Sequence, residues 1–593
     1  MPEDETFVRP PRSSQRLATI AALVSTLTIG LLLLARLHYF SEQYHLGIGE
    51  NAHKINETTE AHTSQTTFQL HPQDHVYRHR ATIHEKWRIT SGERRPDGVL
   101  KRVYLINDAF PGPTLEARSG DNVVISVENG LENDEGVSLH WHGLSMRGAN
   151  EYDGAVGLTQ IPIAKGQSYN YSFTIEEGQH GTFWYHAHDG VQRADGLFGG
   201  VVVHQPRDAG DSRTVDNEHL LMIGDWYHRS AEQALDFYMH AGSFGNEPVP
   251  DNILLNGVGA YNCSDAVPAR PLNCELRAVD ELPTLKVDPS RRTVLRIVNV
   301  GAYAGVEIKM PGALLTPFAV DGGNEIKKMS ASSLGFLQPG ERVGVLIQLD
   351  PKEPLARLTG VLAVTLDTRP FKYPNSALTS THYFPFGWIG TANQQSTYTT
   401  GPLDHLNLDS VEAAHDQSSI LPKNADRTIV LYTITQKLAR LNNVPHGSIN
   451  NTYWEPQASP PAPLITLNRE QWDEHQLVPQ IPYNPDSPLW IDIVLNNLDE
   501  EGHPFHLHGY DFWVLSTYSS TFNWGSYNPF HSAEPPGGAY DLVNAVEKDT
   551  VLVPRRGYAV LRFRADNPGI WMFHCHVLWH QASGMAMAFQ VGD

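Results

Sequence analysis

Cysteine and basic charge are what this chain has least of. Three cysteines in 593 residues are too few for a fold stapled by disulfides. Cys263 and Cys274 share one stretch, YNCSDAVPARPLNCE, and either close a local bridge in an oxidising compartment or stay free thiols. Cys575 stands apart from both. Lys and Arg number 44 against 66 Asp and Glu, a formal net charge of -22, which argues against a nucleic-acid partner, since that calls for a basic footprint. Long helical periodicity is missing too. With 40 Pro and 48 Gly the chain reads as many short strands and turns, and it is too long for one core, so about three domains are expected.

Long apolar runs are equally scarce. The prominent one, LATIAALVSTLTIGLLLLA, is uncharged from Leu17 to Ala35 and closed by Arg36. It is long enough to cross a bilayer as a helix, and no small-x-small cleavage pattern follows it. Arg9, Arg12 and Arg16 precede it and favour a cytosolic N-terminus. The expectation is a cytosolic tail over 1–16, a transmembrane signal anchor over 17–36 and a polar stem over 37–77. The body would then be lumenal or extracellular in a single-pass type II arrangement, with cleaved secretion as the rival. Sequons begin at Asn56, Asn170, Asn262 and Asn450, each a weak glycosylation signal alone.

What the chain does have is a stretch near its end, FHCHVLWHQASGM, from Phe573 to Met585. In an extended strand, neighbouring side chains point to opposite faces. Cys575 then looks one way while His574 and His576 look the other. One thiolate can hold a metal on one side and two imidazoles can hold others behind it. Cys575, His580, one further histidine and a weak axial Met585 have the ligand softness of a blue-copper centre. Three more clusters stand with it: His140 and His142 in HWHG, His186 and His188 in WYHAH, and His503, His506 and His508 in HPFHLHG. One His-x-His pair means little in a chain with 29 histidines, and a lone cysteine is usually a small buried hydrophobe. Four clusters together are harder to dismiss. Pro504 keeps His503 out of the helical region, and WHQASG after the strand is expected to turn His580 back toward Cys575.

HWHG, WYHAH, HPFHLHG and HCHVLWHQASGM resemble, in order and separation, the copper signatures of the three-domain multicopper oxidases, specifically the fungal (ascomycete) laccase-like branch. LLNGVGAYNC, DWYH, LQPGERVGVLIQ and FRADNPGIW are similar as well. The resemblance covers roughly residues 78–591. It implies an all-β fold of three cupredoxin-like Greek-key β-sandwich domains behind the N-terminal transmembrane helix, over 78–207, 208–400 and 401–593. It implies four coppers per chain. His503, Cys575 and His580, with Met585 axial, would hold the type 1 copper; His140 and His506 the type 2; and His142, His186, His188, His508, His574 and His576 the type 3 pair.

The activity so implied is a laccase-like oxidase. Electrons from a small phenolic or polyhydroxylated aromatic substrate enter at the type 1 copper, pass through Cys575 and His574 or His576, and reduce O2 to water, as in fungal pigment or secondary-metabolite pathways. The alternative is a ferroxidase that oxidises Fe(II) beside a permease partner. The resemblance places Asp153 of EYDG as a proton-relay acid, against a plain turn aspartate beside Gly154. It places Asp225 of DWYH as the acid that accepts a phenolic proton, against a hydrogen-bonding residue at a strand end. Two positions depart from the family pattern. Tyr510 stands where a further histidine is common, and Leu578 where many members carry an acid. FQVGD follows the last motif with neither an apolar run nor a channel-plugging tail, and Met585 implies a low-to-middle potential.

Overall fold

The computed structural model describes residues 69–208, 216–278, 281–350, 359–388, 404–531 and 534–592. The anchor, the stem up to residue 68 and the sequon at Asn56 lie outside them; the last residues expected in the stem, 69–77, pack on the folded body instead, with Leu70 buried and its N–H bonded to the Glu218 carbonyl at 2.9 Å. Among the described residues no helix is long and apolar enough to cross a membrane.

Six sheets fall into three consecutive pairs along the chain. The first pair sets Lys101–Ile106, Thr82–Arg94, Asn122–Asn129 and Ser168–Thr174 against Leu115–Arg118, Phe198–His204, Gly181–Ala187 and Leu139–His142, each in that spatial order. Thr82–Arg94 and Asn122–Asn129 run parallel, which breaks simple up-and-down order and marks a sandwich with crossover connections. The second pair is six strands on six, between Asn217 and Asn407. The third sets a six-stranded sheet built around Leu489–Asn497 and Tyr558–Ala565 against five strands ordered Gln480–Ile481, Ala586–Val591, Gly569–Cys575, His503–Leu507 and Thr550–Val553.

Burial along the strands shows where chemistry can sit. Asn122–Asn129 alternates between covered and open positions, as a strand with one solvated face does. Gly181–Ala187, Leu139–His142 and His503–Leu507 are buried at every position. One face of each feeds its own sandwich core, where Trp87, Trp141 and Tyr185 pack ring on ring. The other faces protein as well, and there the strand period places the histidines.

Cys263 and Cys274 are disulfide-bonded, with Cα atoms 5.8 Å apart, which decides between the two readings of that pair. Asn170, Asn262 and Asn450 are all exposed. Helices are few. Ala231–Tyr238 starts at a capping box between Ser230 and Gln233, and the short helix Leu578–Ala582 carries His580.

Candidate metal centre

Strand pairing brings the motifs together. His140 lies opposite His186, and His506 lies opposite His574. Cys575 is paired with Phe505, one step from His574 and therefore on the other face of the strand. The chain then turns through the helix Leu578–Ala582, and His580 returns to Cys575 as the WHQASG turn was expected to bring it. Cys575 Sγ lies 3.6 Å from Nδ1 of both His503 and His580, and those two nitrogens are 3.1 Å apart. The point equidistant from all three is roughly 2 Å from each, a metal–ligand bond length. Met585 is fully buried, and its backbone carbonyl accepts the Cys575 N–H at 3.0 Å.

On the other face, hydrogen bonds decide which imidazole nitrogens are free to bind. His140 Nδ1–H donates to the Asp153 carbonyl and His506 Nδ1–H to the Asp549 carbonyl, both at 2.9 Å. Their Nε2 atoms face each other at 3.4 Å. His508 Nδ1–H donates to Asp153 Oδ2 at 2.8 Å and His574 Nδ1–H to the Cys575 carbonyl at 2.9 Å, leaving Nε2 against Nε2 at 3.1 Å. Pairs of buried lone pairs held this close repel unless a cation lies between them. His188 completes the second group. In the third, His142 Nδ1, His186 Nε2 and His576 Nε2 are buried with no hydrogen-bond partner, although all three rings are within 6 Å of one another. Three buried nitrogens without partners, on rings this close, fit metal coordination and little else.

Electrostatics agree. Burial, and then the neighbouring imidazoles or Arg193, hold His142, His186, His188, His574 and His576 well below the ordinary histidine value, and His508 at about 3. These rings are neutral, the form that binds metal. His580 is the exception. Burial opposes its charge, but the Cys575 sulfur and Glu247 raise it to about 9, so a metal ion at this position displaces a proton.

Asp153 is wholly buried and spans two of the histidine groups. Burial disfavours its charge, yet His508 and His140 together hold the carboxyl far below the usual range. Its Oδ1 lies 3.2 Å from His140 Nδ1, but that N–H already points to the nearer backbone carbonyl, and Oδ1 has no hydrogen-bond partner of its own. Gly154 makes this turn possible: φ is +86°, and a Cβ there would stand 1.9 Å from the Leu139 carbonyl oxygen.

Asp225 does not take the place expected of it. It is buried, and its two oxygens accept backbone N–H bonds from Ala302, Tyr303 and Ala304 at 2.7–2.8 Å. The Ala302 carbonyl in turn accepts the Leu578 N–H at 2.8 Å. Asp225 therefore shapes a loop under the His580 turn, the hydrogen-bonding role at a strand end that was its alternative. The acids at the Cys575 centre are two that sequence reasoning missed. His580 Nε2–H donates to Glu247 Oε1 at 2.9 Å, and His503 Nε2–H to Asp499 Oδ2 at 3.0 Å. Asp499 had a readable signal, four residues before His503 in LDEEGHPFH; Glu247 in FGNEPVP had none. Asp549 was missed as well, and its only signal was a charge pair at the mouth of an apolar strand in EKDTVLV. Tyr510 bonds the Asn567 carbonyl and takes no part in the centre. Leu578 is buried and brings no acid.

Sandwiches of this kind, joined by eight histidines on one face of a cysteine and a Cys–His–His group on the other, define a copper-binding oxidoreductase. The comparisons agree. Multicopper oxidase domains match residues 88–208, 217–355 and 433–593. The iron transport multicopper oxidase fetC of Epichloe festucae (strain E2368) is 31% identical over 521 residues, 86% of this chain and 76% of that one. Laccase-1 of Cryptococcus neoformans var. grubii is 29% identical over 84% of this chain and 78% of its own length. Among crystal structures, Fet3p, a multicopper oxidase that functions in iron import, superposes with a TM-score of 0.71 at 25% identity, covering 86% of this chain and 90% of that chain. The laccase from Botrytis aclada gives 0.69 at 26%, covering 89% and 92%. The chain belongs to the multicopper oxidase family.

Proposed function

We propose that this protein oxidises Fe(II) or a chemically similar divalent cation beside His503 and His580 and reduces O2 to water among the eight remaining histidines. Four coppers fit the donor set: one with His503, Cys575, His580 and Met585, one between His140 and His506, one with His142, His186 and His576, and one with His188, His508 and His574. Copper bound there supplies one-electron oxidation at the first position and oxygen reduction at the other three.

The observation that carries the substrate reading is the carboxylate pair. Each outward imidazole nitrogen of the Cys575 centre donates to its own acid, Glu247 or Asp499. Burial opposes both charges, yet the bonds from His580 and His503 hold both carboxyls below their ordinary values, so both are anionic at neutral pH. Carboxylate oxygens bind a borderline cation such as Fe(II) and favour the harder Fe(III) that its oxidation makes, and a cation bound to either would be one hydrogen bond from a ligand ring. Sequence reasoning puts a phenol first and iron second; the carboxylate pair supports the iron reading. Aromatic residues near Glu247 favour a phenol as the second reading: Tyr303 bonds Glu247 and packs tilted against Phe371, and exposed Tyr373 bonds Asn246.

His574, Cys575 and His576 put adjacent side chains of one strand into the two halves of the centre, so both share one stretch of backbone. Asp153 accepts the His508 Nδ1–H at 2.8 Å and is proposed as the acid that relays protons inward. Leu17–Ala35 is proposed as the membrane anchor of this oxidase, with a permease as partner under the iron reading.

Steady-state kinetics of purified, copper-loaded protein with Fe(II) and with hydroquinone test the choice. Glu247→Gln and Asp499→Asn are each expected to lower kcat/KM for Fe(II) by about 10–100-fold, the usual effect of losing such a partner, and to lower it much less for hydroquinone. Equal losses on both substrates, or no Fe(II) oxidation by the unaltered protein, would reject the iron reading.

A further inference from the structure

We propose that Arg342, from the middle pair of sheets, is a positioning residue for the histidine cluster, although that pair supplies none of the clustered histidines. The inference rests on the assignment of copper to that cluster. Arg342 is fully buried and comes from the LQPGERV turn. Its NH1 and NH2 grip both oxygens of Asp549 at 2.6 and 2.5 Å, its Nε donates to the Thr182 carbonyl at 3.0 Å, and NH1 also reaches the Gly340 carbonyl at 3.3 Å. Thr182 lies in the strand that carries His186, and Asp549 belongs to the third sandwich. One guanidinium therefore ties all three sandwiches at the cluster.

The clamp passes directly to ligand rings from both sides of the interface. Asp549 Oδ1 lies 3.3 Å from His142 Nε2 and 3.4 Å from His506 Nδ1. Thr550 Oγ1 donates to that same oxygen at 2.8 Å and sits 3.0 Å from His142 Nε2. With Asp549 fixed, His142 keeps its proton on Nε2 and points the orphan Nδ1 inward, while His506 keeps its proton on Nδ1 and points Nε2 inward. These opposite tautomers are what the cluster needs, and neither is set by its own strand. The arrangement also explains the glycine of HWHG. Gly143 has φ +87°, and a Cβ on it would lie 2.3 Å from Arg342 NH2 and 2.8 Å from Asp549 Oδ2, so the guanidinium occupies the space a side chain would fill. Only a planar fork that is always charged meets both carboxylate oxygens and a carbonyl at once.

The test uses full-length, copper-loaded protein carrying Arg342→Lys or Arg342→Met, read by copper content, electron paramagnetic resonance of the type 2 copper, visible absorption and thermal melting. Arg342→Lys keeps the charge and loses the fork. It is expected to retain the blue thiolate absorption and a melting curve close to that of the unaltered protein, while the type 2 signal changes and that copper is lost to a chelator about 10–100-fold more readily. Arg342→Met is expected to show the larger change; if it does not fold, the lysine variant still decides. An unchanged type 2 signal and copper retention in Arg342→Lys would overturn the proposal. So would loss of type 2 and blue copper strictly in step with unfolding, the mark of a merely structural arginine. A failure of the unaltered protein to bind type 2 copper would instead sink the functional reading.

Discussion

Replacing Asp153 with asparagine separates two roles that its position allows. The side chain keeps its shape, so an amide oxygen can still accept the His508 Nδ1–H now made at 2.8 Å. The amide nitrogen then falls at the Oδ1 position, 3.2 Å from His140 Nδ1, whose own proton is already committed to the backbone carbonyl. Two donors meet where one carboxylate oxygen stood. The charge-assisted bond to His508 weakens to a neutral one, a loss of about 1–2 kcal/mol, and the donor clash pushes His140 away from His506. Together these correspond to roughly a 10–100-fold weaker hold on the copper between His140 and His506. The assay is copper counting beside type 2 resonance, with the blue absorption of the Cys575 centre as an internal control, followed by oxygen consumption at fixed type 1 reduction rate. A variant that keeps all four coppers and an unchanged type 2 signal, yet loses oxygen reduction, would show that Asp153 moves protons without orienting ligands. A variant with neither defect would refute both roles.

Three further outcomes are expected. Gly154→Ala, with φ +86° and a Cβ placed 1.9 Å from the Leu139 carbonyl oxygen, should destabilise by about 3–5 kcal/mol, because backbone on both sides cannot yield; a melting temperature within a degree or two of the unaltered protein would contradict the geometry. Cys575→Ser should abolish the intense blue absorption while the type 2 signal persists, since the thiolate serves only the His503–His580 side; retention of the blue band would be incompatible with the assigned ligand set. Burial pushes Glu116 up, but bonds from His204 and from His71 outweigh it and bring its carboxyl from 4.5 to about 2. A depressed carboxyl stabilises the fold above pH 4.5, and that contribution fades as pH falls toward about 2. Glu116→Gln should therefore flatten the acid limb of stability between those pH values in urea titrations and leave a constant offset above it.

The buried part of the centre was legible because strand geometry is local. Alternation along HCH is enough to split Cys575 from His574 and His576, and the same period puts His506 and His508 on one face; pairing in register then only had to bring those faces together, as His140 opposite His186 and His506 opposite His574 do. Family resemblance supplied which metal belongs there. At Asp225 the motif shows that an acid stands at a strand end, not which way its oxygens turn, and three backbone N–H groups bond them.

Sequence alone determined the kind of protein: short strands, sulfur and imidazole donors at fixed spacing and, through the family those motifs resemble, a copper chemistry. Tertiary structure alone decided which acids stand beside those donors. Glu247 reaches His580 across 333 positions of chain and Arg342 reaches Asp549 across 207. Such partners are selected by where separate sandwiches meet, and no local pattern records that, because each acid needs only to be in the right place once the sheets have docked.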